Sequence, residues 1–196
     1  MTPGISSFNG VLRLLYFFIG LIVATSCNTS LDKREYIHWV ENYENGLHVR
    51  KASDPFVFDL QYLPGQYISL QRNFSQDSSL HDNLEHFVLT ISTPDSGEDF
   101  IDHGIRDFAE KQRRLYYFSY LFQNDIHLEQ HGEIIPCVLF HFEQQTNTKT
   151  GKAFVLAFEK SNKKSDELMF VIDSQQLGSL PVRIKISKSN IPVLKT

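Results

Sequence analysis

Two histidines and two glutamates take alternate positions in His127-Leu128-Glu129-Gln130-His131-Gly132-Glu133. On an extended strand alternate side chains share a face, so all four would project together, and imidazole with carboxylate suits zinc. The spacing is not the His-Glu-x-x-His of a metalloprotease helix, because the first glutamate lies two residues after the first histidine. The plainer reading is a strand with a polar outer face, with Ile126 and Leu128 turned inward. A metal site on His127, Glu129, His131 and Glu133 is kept as the alternative; the main expectation is no metal and no cofactor.

Other reactive groups have structural explanations ready. His81-Asp82 and Glu85-His86 flank a loop-to-strand junction, where solvated side chains are ordinary. Asp99, Asp102 and His103 precede a helical pattern, and acids near a helix start are favoured by capping and by the dipole. Cys137 lies in Ile134-Ile135-Pro136-Cys137-Val138-Leu139-Phe140, surroundings that bury a thiol, raise its pKa and make it a poor nucleophile. Pro136 makes that strand an edge or a bulge at its start. Lys111, Arg113 and Arg114 form a basic cluster that serves as a solvated helix face or meets anionic headgroups. No nucleophile elbow, phosphate-binding loop or dinucleotide fingerprint occurs in the sequence.

The start of the chain has the three-part layout of a secretory signal peptide: Arg13, an uncharged run from Leu14 to Ala24, then Ala24-Thr25-Ser26-Cys27. The run is too short for the ~20 residues of a membrane-crossing helix. Ala24-Thr25-Ser26-Cys27 resembles the lipobox of bacterial lipoproteins, departing from the usual pattern at Ala24 and Ser26. The resemblance covers only the leader, and it implies that Cys27 is acylated and becomes the first residue of the mature protein. An ordinary signal peptidase would cut the same bond, since Ala24 and Ser26 are small. Under the lipoprotein reading Cys137 stays alone; under the other, Cys27 and Cys137 form a pair that an oxidising compartment can join. Asn28 is not the Asp of an inner-membrane retention signal, and no acid-rich run resembling the surface-export signal of Bacteroidota lipoproteins follows. The address implied is the periplasmic face of an outer membrane.

Removing residues 1–26 leaves 170, which fits a single domain, 27–196, with a net charge of −5 when histidine is neutral. That balance is not one that tracks a phosphate backbone, so no nucleic-acid partner is expected. Sixteen Phe and eight Tyr supply core area.

The elements that must position these groups follow from periodicity. Thr29 and Asp32 look like a capping box opening a helix to about Asn45-Gly46, with Trp39 on or near its apolar stripe. Strands are expected at Leu47–Lys51, Pro55–Leu63 and Phe87–Ile91, with a short helix after Pro64. Gly104 to Phe122 reads as one long helix with Ile105, Phe108, Leu115, Tyr116 and Phe122 near one side and its aromatic end sunk in the core. Strands at Asp125–Gln130, Ile134–Glu143, Lys152–Lys160, Leu168–Asp173 and Pro181–Ser187 complete a meander. The fold class is α+β: an antiparallel sheet of about eight strands packed against one long helix, plus an N-terminal helix.

These readings combine into a membrane-anchored cell-envelope lipoprotein with a non-catalytic binding or scaffolding domain. Its partners are the membrane, through the anchor, and an envelope protein or small ligand. The rivals are an envelope hydrolase or metalloenzyme using the His127–Glu133 segment, and a soluble exported ligand-binding domain with an aromatic cavity inside the sheet.

Overall fold

Alternation over Phe56–Leu63 sends Phe56, Phe58, Leu60 and Tyr62 to one side, and all four are buried while the residues between them are half-buried. The structure is a computed structural model describing residues 30–72, 83–93, 97–143 and 151–195. Residues 1–29, with Cys27 and Thr29 among them, lie outside these, as do His81 and Asp82.

The strands are β1 (Ser30–Leu31), β2 (His48–Ser53), β3 (Phe56–Leu63), β4 (Leu84–Ser92), β5 (Ile126–Gln130), β6 (Glu133–Glu143), β7 (Gly151–Glu159), β8 (Glu167–Ile172), β9 (Val182–Ser187) and β10 (Val193–Leu194). The helices are α1 (Lys33–Glu41), α2 (Gly65–Arg72) and α3 (Phe108–Tyr116). Eight strands make one antiparallel sheet in the order β2-β3-β4-β7-β6-β5-β8-β9, while β1 and β10 pair in parallel apart from it. The class is therefore α+β with an eight-stranded antiparallel sheet.

β6 belongs to two ladders. Glu133 to Pro136 pair with β5, Cys137 onward pairs with β7, and a bulge separates Cys137 from Leu139. The irregularity expected at Pro136 is thus a bulge beside it, which bends the strand and turns the sheet on itself. Phe87 on β4 and Phe170 on β8 lie four strands apart in the ladder order, yet their ring centroids are 5.5 Å apart. Such contact requires a sheet curled into a nearly closed barrel. Its edges meet without a ladder: the Ser187 N–H donates to the Gly46 carbonyl at 3.0 Å, and Lys51 Nζ to the Arg183 carbonyl at 2.7 Å. Gly46 suits this seam because its φ is 78° and a Cβ would stand 3.0 Å from Ser187 Cβ.

The two ends of the barrel are closed differently. At the end where β2 begins and β3 finishes, α1 packs Tyr36 and Val40 into the core beside the β1–β10 pair. The cap of α1 is Asp32, not Thr29: Asp32 accepts from Glu35 N at 2.9 Å while Glu35 accepts from Asp32 N at 3.1 Å. The helix stops at Glu41, short of Asn45, because the Asn42 side chain caps a separate 3-10 turn over Tyr43–Asn45. α2 lies after Pro64, as expected.

At the opposite end, residues 97–125 cover the barrel mouth. α3 starts at Phe108, later than the expected Gly104, and Asp107 caps it by accepting from Glu110 N at 2.8 Å. The run then changes pitch, to a π turn over Tyr117–Leu121 and a 3-10 turn over Phe122–Asp125. Only these turns reach the core, where Phe118 and Phe122 contact Phe154. The expected apolar side of a single regular helix is consequently not kept: Phe108 is 75% and Tyr116 57% exposed. Among the described residues no helix is long and apolar enough to cross a membrane.

Candidate functional site

Aromatic rings fill the barrel interior. Phe58, Phe87, Phe154, Phe158 and Phe170 are fully buried, and Phe158 lies in edge contact with both Phe87 and Phe170. The aromatic cavity expected of an internal ligand carrier is therefore occupied by the protein's own side chains.

The His127–Glu133 segment does not present its four groups together. Ile126 and Leu128 are buried as expected, but β5 ends at Gln130, and His131 (φ 50°) with Gly132 (φ 78°) makes the hairpin turn into β6. That turn breaks the alternation on which the shared face depended. His127 Nε2 stands 3.6 Å from Glu129 Oε1, and Glu129 is held by Arg183 on β9. Glu133 instead pairs with Lys163 at 2.6 Å and accepts from Ser161 Oγ at 3.0 Å, contacts that lower its pKa. No group of three or more potential metal ligands occurs among the described residues.

Other singled-out residues fall into structural roles. Asp99 pairs with Lys152 at 2.6 Å and Asp102 with Lys111 at 2.5 Å, rather than capping the helix. Burial raises the Cys137 thiol pKa to about 11, and its Sγ lies 3.0 Å from the Leu139 carbonyl. Glu85, expected to be solvated, is buried in β4, where Tyr62 Oη and Lys188 Nζ each donate to it at 2.7 Å. Sequence reasoning missed that pair, as it missed the His48 cluster on β2. His48 there stacks on Tyr43 and bonds Asp59 at 2.5 Å through Nε2 and the Glu41 carbonyl at 2.8 Å through Nδ1.

A cleft of about 540 Å³ opens at the barrel end covered by α3. The β2–β3 turn at Pro55 and Phe56 supplies one wall, the loop around His103 and Ile105 another, and α3 brings Arg113 and Arg114. The loop after β8, at Leu177, closes the far side. No protein-family model, curated protein or solved structure matches this chain. The site has only its own groups to speak for it.

Those groups are mixed: the guanidinium groups of Arg113 and Arg114 share the lining with the carboxylates of Asp54 and Glu110 and with apolar surface from Pro55, Phe56 and Leu177. Arg114 Nη1 donates to the carbonyls of Ile101, at 3.4 Å, and His103, while its buried Nε has no hydrogen-bond partner among the described residues. Burial lowers the Arg114 pKa, opposed by the charges of Glu110 and Asp102. His103 packs edge-on against Phe56, and its buried Nδ1 is 3.5 Å from Glu98 Oε2, an ion-pair separation without hydrogen-bond geometry. Tyr117 directs its hydroxyl to Asp125 and to Ser174 at 2.5 Å, and its pKa is raised by burial first and by the Asp125 bond second. The arrangement can orient and hold a ligand. The basic cluster is thereby divided: Lys111 is paired, Arg114 turns inward, and Arg113 lines the cleft.

Proposed function

We propose that this protein is a cell-envelope lipoprotein, anchored through Cys27 in the outer membrane, whose single α+β domain binds a ligand without transforming it. The observation that carries the binding half is the cleft that brings Arg113 and Arg114, neither held by a carboxylate within ion-pair distance among the described residues, against the apolar surface of Pro55, Phe56 and Leu177. The anchor rests on Ala24-Thr25-Ser26-Cys27 and its resemblance to a lipobox. Cys27 stands three residues before Ser30, so its Cα can be no further than about 11 Å from that of Ser30, and the anchor belongs to the barrel end closed by α1. The cleft is at the other end. The helical run from Phe108 to Asp125 acts in this reading as one long cover, with α3 walling the cleft and the turns after it packing on the sheet.

This placement changes the role of the basic cluster. An eight-residue strand such as β3, tilted as in a barrel, spans roughly 20 Å of height, which is about two Debye lengths at physiological salt. Arg113 and Arg114 therefore face away from the headgroups and toward the periplasmic space, where a soluble ligand or envelope protein would approach. Metabolic labelling with a fatty acid tests the anchor: the wild-type chain takes up label and Cys27→Ser does not. A wild-type chain that stays unlabelled ends the lipoprotein reading.

A further inference from the structure

The cleft walls combine guanidinium groups with apolar surface, and the charges around them are unevenly matched. Each acid near Arg114 is closer to another cation: Asp102 to Lys111 at 2.5 Å, and Glu110 to Arg106 at 3.2 Å. Asp54, on the β2–β3 turn, also lines the cleft but is exposed to solvent. Arg114 itself is tied only to two backbone carbonyls, with Nε unsatisfied, and Arg113 has no carboxylate partner among the described residues. A half-buried guanidinium held by neutral acceptors, with its nearest acids turned to other cations, leaves positive charge for an incoming anion to meet.

We infer that the cleft takes a monoanionic carboxylate carried on an apolar body, with the carboxylate at the guanidinium groups of Arg113 and Arg114 and the body against Pro55, Phe56 and Leu177. A planar carboxylate matches the guanidinium fork. A dianion such as a phosphate monoester fits less well, because Asp54, Glu110 and Asp102 would repel its second charge. Apolar walls add affinity for a body that a small inorganic anion lacks.

This inference deepens the reading of the cleft as the domain's binding site and is separable from the anchor. The test is calorimetric titration of the full chain, in a non-ionic detergent, with 4-phenylbutyrate, 4-phenylbutan-1-ol and phenyl phosphate. Losing a charge-assisted bond corresponds to about 1.5–3 kcal/mol, so the acid should bind about ten- to a hundredfold more tightly than the alcohol and also more tightly than the phosphate. Arg113→Gln, which removes no internal contact, should abolish most of the preference for acid over alcohol. The Arg114 Nε–H signal in the NMR spectrum should move with the acid alone. Equal affinity for acid and alcohol would overturn the carboxylate assignment while leaving a binding cleft; tighter phosphate binding would overturn it in favour of a dianion. No binding by any probe up to about 10 mM, well above the 1 mM that corresponds to about −4 kcal/mol, would remove the cleft itself. The same titration on Cys27→Ser should be unchanged, so a failure of acylation leaves this result standing.

Discussion

His48 contributes to stability through both ring nitrogens. A neutral imidazole has one N–H, yet both nitrogens here face acceptors, Asp59 and the Glu41 carbonyl, so the imidazolium satisfies the site. Burial pulls the His48 pKa down, but the Asp59 hydrogen bond, the Glu41 carbonyl and the Asp59 charge outweigh it and the net shift is upward, against an opposing push from Arg50. Burial likewise pushes Asp59 up, and the bonds from His48 and Tyr43 with the nearby positive charges bring it below the usual carboxylate range. The His48 contribution is therefore complete below about pH 6.5 and is lost as pH rises through the raised folded value. The Asp59 contribution is complete above about pH 3.9 and is lost as pH falls through the lowered one. Urea unfolding of the wild type should lose about 1–2 kcal/mol between pH 6 and pH 9 relative to His48→Gln; parallel pH profiles for the two would defeat the imidazolium account. The buried Glu85–Lys188 pair gives a second residue-level outcome, since Lys188→Met leaves a carboxylate buried opposite only Tyr62. It should cost about 3 kcal/mol in denaturant midpoint, and adding Glu85→Gln should restore part of that loss; a double variant as unstable as the sum of its parts would contradict the pairing. Neither cluster was legible in the sequence, because Lys188 is 103 positions from Glu85 and nothing local marks the pairing. Cys137 was legible in part: its thiol pKa is raised by burial, but the residue is half-buried and its neighbours Ile134, Val138 and Leu139 are exposed.

Elements were legible where a local rule and burial agreed. β3 and the inward face of β5 follow simple alternation, and eight strand segments expected from period and turn residues correspond to the eight in the sheet. The rule failed at the β5–β6 hairpin, where His-Gly took the two positive-φ positions without the Asn-Gly or Asp-Gly that usually announces them. Counting alternate residues across that turn produced the false common face for His127, Glu129, His131 and Glu133. Gly132→Ala should therefore destabilise by about 1–2 kcal/mol, the cost of a Cβ at φ 78°, whereas His131→Asn should be neutral or stabilising. Thermal unfolding decides it, and a neutral Gly132→Ala would mean that the turn is made another way. The helical run failed differently. Its residues read as a single period of 3.6, but pitch changes at Tyr117 and Phe122 rotate the face, so Phe108 and Tyr116 are left in solvent while Phe118 is buried. No sequence signal marks a π turn.

At the scale of the whole molecule, the barrel axis separates Ser30, where the described chain begins, from the cleft. The chain enters beside α1 and the β1–β10 pair, while the β2–β3 turn, α3 and the β8–β9 loop gather at the other end because antiparallel strands of alternating direction put them there. Acylation within about 11 Å of Ser30 would bring α1 to the headgroups and hold the cleft a barrel's height away. Trp39, the single Trp in the chain, lies on α1 and is half-buried, which makes it a reporter for this arrangement without a label. In vesicles containing lipids brominated near the headgroup, Trp39 fluorescence of the acylated wild type should be strongly quenched. Trp39→Phe combined with Leu180→Trp moves the reporter to an 80% exposed position on the β8–β9 loop, beside the cleft, where quenching should nearly vanish. Equal quenching at both positions would mean that the barrel lies on its side against the bilayer, with the cleft in the membrane interface. Stronger quenching at position 180 would invert the orientation and return Arg113 and Arg114 to anionic headgroups. Only the arrangement with Trp39 near the lipid leaves those arginines to a ligand arriving from the aqueous side.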